Sequence, residues 1–121
     1  MNTDDNALLT FMRTKDFDVD VDLKEERMIS VGDINVECIK TPGHSEGSIC
    51  YKIGKLLFSG DTLFKDSIGR CDLPGGSPSV MLKTLSSVIM QLEDDLTVLP
   101  GHGEKTTILV EKANNYYLKN L

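Results

Sequence analysis

The 121-residue sequence has no tryptophan, three cysteines and only two histidines. Cys38, Cys50 and Cys71 are odd in number and form no CxxC pair, which argues against a disulfide framework and fits a reducing compartment. Basic residues are scarce: 13 Lys and Arg stand against 19 Asp and Glu, a net charge of −6. That balance excludes a typical nucleic-acid or anionic-membrane surface. No apolar run approaches the ~20 residues that cross a bilayer. The first seven residues (MNTDDNA) are polar and acidic, unlike a secretory leader, so a cytoplasmic location is expected. What remains, 40% apolar and 26% charged residues, is the composition of one small globular domain over residues 1–121.

Residues 4–13 suit a short helix, with Leu8, Leu9 and Met12 on one side. Phe17, Val19, Val21 and Leu23 alternate with four aspartates, which suits either a strand or an extended acidic segment. From Met28 the pattern sharpens. Residues 28–31, Gly32-Asp33 and residues 34–40 read as strand, turn, strand. Residues 48–53 and 56–59 flank Gly54-Lys55, with glycine first as a type II′ hairpin prefers. A Gly-rich loop is expected over 60–77.

Ser77-Pro78 then opens a helix over 78–93, Ser as N-cap and Pro at the first helical position. Val80, Met81, Leu85, Val88, Ile89 and Leu92 mark its buried face. Residues 96–99 read as a short buried strand. A last helix is expected from about Thr107 to Tyr117, capped by Thr106 or Thr107, with Tyr116 and Tyr117 as packing residues.

Both histidines end a Pro-Gly-His tripeptide, at 42–44 and 100–102. From the composition, one His has odds of about 0.003 of that context, and both together about 10⁻⁵. Each tripeptide follows an expected strand, where Pro ends the ladder and Gly bends the chain. A third strand, LLFSG, runs into Asp61. Two imidazoles and a carboxylate are thereby offered at strand ends, a donor set suited to zinc, iron or manganese. A carboxylate can bridge two ions with a histidine on either side.

The segments TPGHSEGSICY, LFSGDTLFKDSIGRCDLPGGS and LPGHGEKTTILVEKANNYYL resemble the metallo-β-lactamase superfamily, specifically its small glyoxalase-II-like bacterial hydrolases. The resemblance runs from about residue 23 to the C-terminus. It implies that His44 binds one metal ion, that Asp61 bridges two and is catalytic, and that His102 binds the other. It also implies an α/β fold, the αββα sandwich, of which this chain matches the C-terminal half: one mixed sheet with flanking helices.

The implied activity is metal-bound hydroxide attacking the carbonyl of a small thioester or ester. The family's His-x-His-x-Asp-His signature is absent, since the chain holds no third histidine. Three of seven usual protein ligands remain, which leaves two per ion where catalytic zinc takes three plus water. Three expectations follow. The chain alone is weak or inactive. It is completed by a homodimeric partner or by an N-terminal half. One sheet face, with Ile34, Val36, Ile49, Tyr51 and Leu57, lies bare without that partner. The alternative is a non-catalytic fold half that serves as an oligomerisation or interaction module.

Arg70, in the loop after Asp61, is a candidate for holding a substrate carboxylate, against the more ordinary role of a structural salt bridge. Ser45 and Glu46 follow His44, with Glu46 read as solvated or tied to local backbone, and Cys71 lies in the same loop as Arg70.

Overall fold

The computed structural model describes residues 28–121, so the expectations for 4–13 and 17–23 lie outside it. In chain order the strands are β1 (Met28–Val31), β2 (Ile34–Lys40), β3 (Ile49–Ile53), β4 (Leu56–Gly60), β5 (Leu63–Phe64), β6 (Ser67–Ile68), β7 (Thr97–Pro100) and β8 (Thr106–Thr107). The helices are α1 (Pro78–Ser87), α2 (Ile108–Asn114) and α3 (Tyr116–Lys119), with a 3-10 turn at Ile89–Gln91. Among these helices none is long and apolar enough to cross a membrane.

Six strands form one mixed sheet in the order β1-β2-β3-β4-β7-β8. Pairing is antiparallel from β1 to β4 and parallel between β4 and β7. Strands β2, β4 and β7 therefore point the same way and end at one edge. The β3–β4 turn behaves as the sequence predicts: Gly54 has φ 58, and among the described residues Asp66 is the one non-glycine with positive φ. Lys55 thus keeps negative φ, the type II′ pattern.

The two faces of the sheet follow from the register. Cys50, Leu57 and Val98 face the helices and pack with Met81, Leu85, Ile89, Ile108 and Leu118. Each of these side chains is at most 1% exposed, and burial of a Leu-sized group contributes about 1.5–3 kcal/mol. On the opposite face, Cys38 pairs with Tyr51, Tyr51 with Phe58, and Phe58 with Leu99. The expected bare face is corrected here. Leu57 belongs to the helix side, because it pairs with Lys52 and Val98. Val36, Cys38, Phe58 and Leu99 are only 1–5% exposed, while Ile49 and Tyr51 are half-buried and Ile34 is 39% exposed.

Helix α1 starts where its cap predicts, with the Ser77 hydroxyl accepting from Val80 N–H, but it stops at Ser87 rather than running to 93. The hydroxyls of Ser86 and Ser87 turn back onto Lys83 O at 3.2 and 2.5 Å, and β-branched Val88 follows. Such back-bonding competes with the helical ladder. The chain continues as the 3-10 turn, which keeps Ile89 buried; Val80, expected on the buried face, is 38% exposed. The last helix is likewise split. Thr107 caps α2, and Asn115 both ends α2 and caps α3, its side chain accepting from Tyr117 N–H. Leu118, not the exposed Tyr116 and Tyr117, supplies the packing. The expected loop 60–77 contains the β5–β6 hairpin.

Candidate metal centre

His44, Asp61 and His102 follow the C-terminal ends of β2, β4 and β7, and the shared direction of these strands brings them together. Asp61 sits in the middle. Its Oδ2 lies 3.7 Å from His44 Nε2, and its Oδ1 lies 3.8 Å from His102 Nε2. Both distances exceed a hydrogen bond. They suit an ion bonded at ~2.0–2.1 Å to each of two donors, whose separation cannot exceed about 4.2 Å.

The His44 tautomer is fixed by its other nitrogen. Nδ1 lies 2.8 Å from the Arg70 carbonyl, which can only accept, so Nδ1 donates and the Nε2 lone pair is free to face Asp61. This clamp requires the 69–70 backbone to pass against Asp61. A Cβ at Gly69 would stand 1.7 Å from Asp61 O and 3.3 Å from His44 Cβ, so only glycine fits. The loop that carries His44 is also closely docked. A Cβ on Gly43 would meet Met81 Cα at 2.7 Å, Ser77 N–H donates to Gly43 O, and the Thr84 hydroxyl donates to Pro42 O at 2.6 Å. Buried Thr41 and Thr62 bond hydroxyl to hydroxyl at 3.1 Å, tying the His44 loop to the Asp61 loop.

His102 is held differently. Gly101 N–H donates to Gly60 O at 2.9 Å, and the His102 ring stacks on Phe64 with centroids 4.6 Å apart and planes 27° apart. The site opens into a cavity of about 470 Å³ walled by Phe64, Ile68, Gly69 and Gly103 among others. It is wet: His102 is 77% exposed, Asp61 53% and His44 27%. At its rim the Lys65 ammonium holds the Glu104 carboxyl below the usual carboxylate range.

The Arg70 guanidinium forms a two-pronged pair with Asp72, at 2.9 and 3.0 Å, which lowers the Asp72 carboxyl's pKa. Arg70 serves the site through its carbonyl. Cys71 donates to Gly69 O, and its thiol pKa is raised by burial and by Asp72.

The donor chemistry therefore fits two ion positions that share Asp61, one imidazole on each side. Among the described residues it fits them incompletely, with two protein donors apiece. Among the described residues no three His, Cys, Asp or Glu side chains gather to hold a single ion.

A family model for the metallo-beta-lactamase superfamily matches residues 4–102. The chain belongs to the metallo-beta-lactamase superfamily. It is similar to the probable metallo-hydrolase YqgX of Bacillus subtilis, with 39% identity over 74% of this chain and 44% of that protein. It is similar to the hydroxyacylglutathione hydrolase GloC of Haemophilus influenzae, with 33% identity over 80% of this chain and 47% of that protein.

Among solved structures, the BLEG-1 B3 metallo-beta-lactamase superposes with a TM-score of 0.74, 41% identity, and 78% and 46% of the two chains covered. The di-iron-bound form of TTHA1623 gives a TM-score of 0.68, 35% identity, and 77% and 46% covered. The superfamily thus includes metallo-hydrolases and metal-binding proteins, and the observed mixed sheet with flanking helices is that of its fold. The chain spans about half the length of the curated relatives it matches.

Several supporting residues escape a reading of the sequence. Arg70 acts through a backbone atom, which carries no sequence signal. Phe64 lies in a segment expected to be loop. Buried Glu111 looks in sequence like an ordinary solvated helix carboxylate.

Proposed function

We propose that this chain carries part of the two-metal site of a hydrolase acting on a small thioester or ester. The observation that carries this reading is Asp61, whose two oxygens each face the Nε2 of a different histidine. Zinc, iron or manganese there would supply Lewis acidity toward a carbonyl and toward water. The chain's own residues do the rest. Asp61 sets the spacing of the two positions, and the Arg70 carbonyl holds the His44 lone pair toward one of them. Phe64 shields one face of His102, and the open cavity admits a carbonyl substrate. Arg70 lines the cavity, and its guanidinium, exposed beside Asp72, is the candidate for holding a substrate carboxylate.

Two donors per position fall short of catalytic zinc's three. The proposal therefore includes completion by another polypeptide segment: a second copy of this chain in a homodimer, or a segment equivalent to the remainder of the longer relatives. The same shortfall favours a second reading, a non-catalytic interaction module. Metal content separates the two. On protein purified without chelator or His tag, elemental mass spectrometry should find one or two ions per chain, lost in the His44→Ala/His102→Ala variant. Thioester hydrolysis should follow metal loading. Less than about a tenth of an ion per chain would refute metal binding by this chain alone, and would leave the module reading or completion by a segment equivalent to the remainder of the longer relatives.

A further inference from the structure

Glu111 in α2 is 0% exposed and makes three hydrogen bonds. Its Oε1 accepts from Asp66 N–H at 2.8 Å and from Asn115 Nδ2 at 2.9 Å, and its Oε2 accepts from the Thr106 hydroxyl at 2.6 Å. Asn115, equally buried, also donates to Ser67 O at 3.0 Å. These bonds converge on the tip of the β5–β6 hairpin, where Asp66 holds φ 64. A left-handed non-glycine residue persists only when its surroundings over-determine it.

The other side of this hairpin touches the His102 loop twice. Phe64 stacks on the His102 ring, and Lys65 pairs with Glu104 at 2.9 Å. Thr106 begins β8, the strand into which the His102 loop exits. One carboxylate therefore fastens both flanks of His102. A buried carboxylate is costly unless fully paired, and an apolar side chain would fill the same space without that cost. Packing alone does not account for it.

We propose that Glu111 is a positioning residue that, through the hairpin tip and Thr106, fixes the His102 ring so that Nε2 faces Asp61. The chemical meaning of that orientation rests on the proposed metal site, but the positioning itself does not. The chain's two histidines make it directly measurable by NMR on metal-free protein. Phe64→Leu removes the stacked ring and defines the His102 ring-proton shifts without its ring current. Glu111→Met keeps side-chain length and removes all three acceptor bonds. Its His102 signals should move toward those of Phe64→Leu, while those of His44, held by Arg70 O, stay in place. Unmoved His102 signals in folded Glu111→Met would overturn the inference.

Should Glu111→Met lose the native amide spectrum, Thr106→Val removes a single bond. It should shift His102 in the same direction, and Thr106→Ser should restore it; no shift in Thr106→Val overturns the inference equally. In a parallel zinc titration the variants that shift His102 should bind about 10–100-fold more weakly than wild type. Absence of zinc binding by wild type would sink metal binding by this chain alone and leave the NMR result to decide the positioning.

Discussion

Replacing Gly69 with alanine tests the tightest contact in the candidate site. The new methyl would sit 1.7 Å from Asp61 O, at most half of an ordinary 3.4–4 Å contact, with Asp61 C at 2.9 Å. The obstacle is backbone, so no side-chain rotation relieves it. Either residues 61–62 or residues 69–70 must move. Moving them strains the Gly69 N–H bond to Thr62 O at 3.0 Å and the His44 bond to Arg70 O at 2.8 Å. Each such bond is worth about 1 kcal/mol net, and overpacking costs a further ~1–3 kcal/mol. The expected loss is about 3–5 kcal/mol, a large fraction of a small domain's stability.

Gly47→Ala is the matched control. Nothing lies within 4 Å of its Cβ and its φ is not positive, so it should stay within about ±0.5 kcal/mol of wild type. Urea unfolding, compared at equal slope, measures both. A Gly69→Ala protein within 1 kcal/mol of wild type, with unchanged His44 resonances, would show that the 69–70 segment does not press on Asp61 as described.

Three further outcomes are expected. Leu85→Ala, emptying a fully buried position between α1 and the sheet, should cost about 2–5 kcal/mol in the same urea assay, and a cost under 1 would place Leu85 outside the core. Ser77→Ala should cost about 1 kcal/mol by removing the acceptor for Val80 N–H, with Ser77→Asp recovering most of it. Burial pushes the Cys50 thiol up to about 11 from 9.0, so its neutral form is favoured by folding. That stabilisation is complete below pH 9 and disappears as pH rises toward 11, amounting to about 3 kcal/mol. Cys50→Ala should flatten alkaline unfolding over that window, leaving the smaller same-direction contributions of Cys38, Tyr51 and Cys71; an unchanged alkaline slope would refute the assignment.

Much of the scaffold was readable because its signals are local. Gly32-Asp33, Gly54-Lys55 and Ser77-Pro78 each act within one turn, and the elements they bound begin where the residues say. The site residues were readable for a related reason, since each Pro-Gly-His tripeptide ends a strand within its own few residues. What stayed hidden depends on distant partners. Nothing near Val88 announces that the serines before it will bond back to Lys83. Nothing in TLFKDSI shows that Asp66 will donate to a carboxylate 45 residues away. The sheet faces were misjudged at Leu57 because alternation shows which residues share a face, not which face meets the helices.

The parallel junction of β4 and β7 has a consequence for how an ion reports on this protein. A parallel pair cannot form until the whole crossover between its strands has closed. Asp61 and His102 emerge from the two strands of that pair, and His44 arrives from a third. No fragment carrying one tripeptide can assemble the arrangement, and the unfolded chain presents none of it. An ion that binds here favours the native state, so its affinity appears as resistance to melting, less whatever the unfolded histidines hold. At a hundredfold excess over its dissociation constant that is about 2.7 kcal/mol. A simple thermal-shift titration would then rank candidate metals, and candidate completing partners, without any knowledge of the substrate.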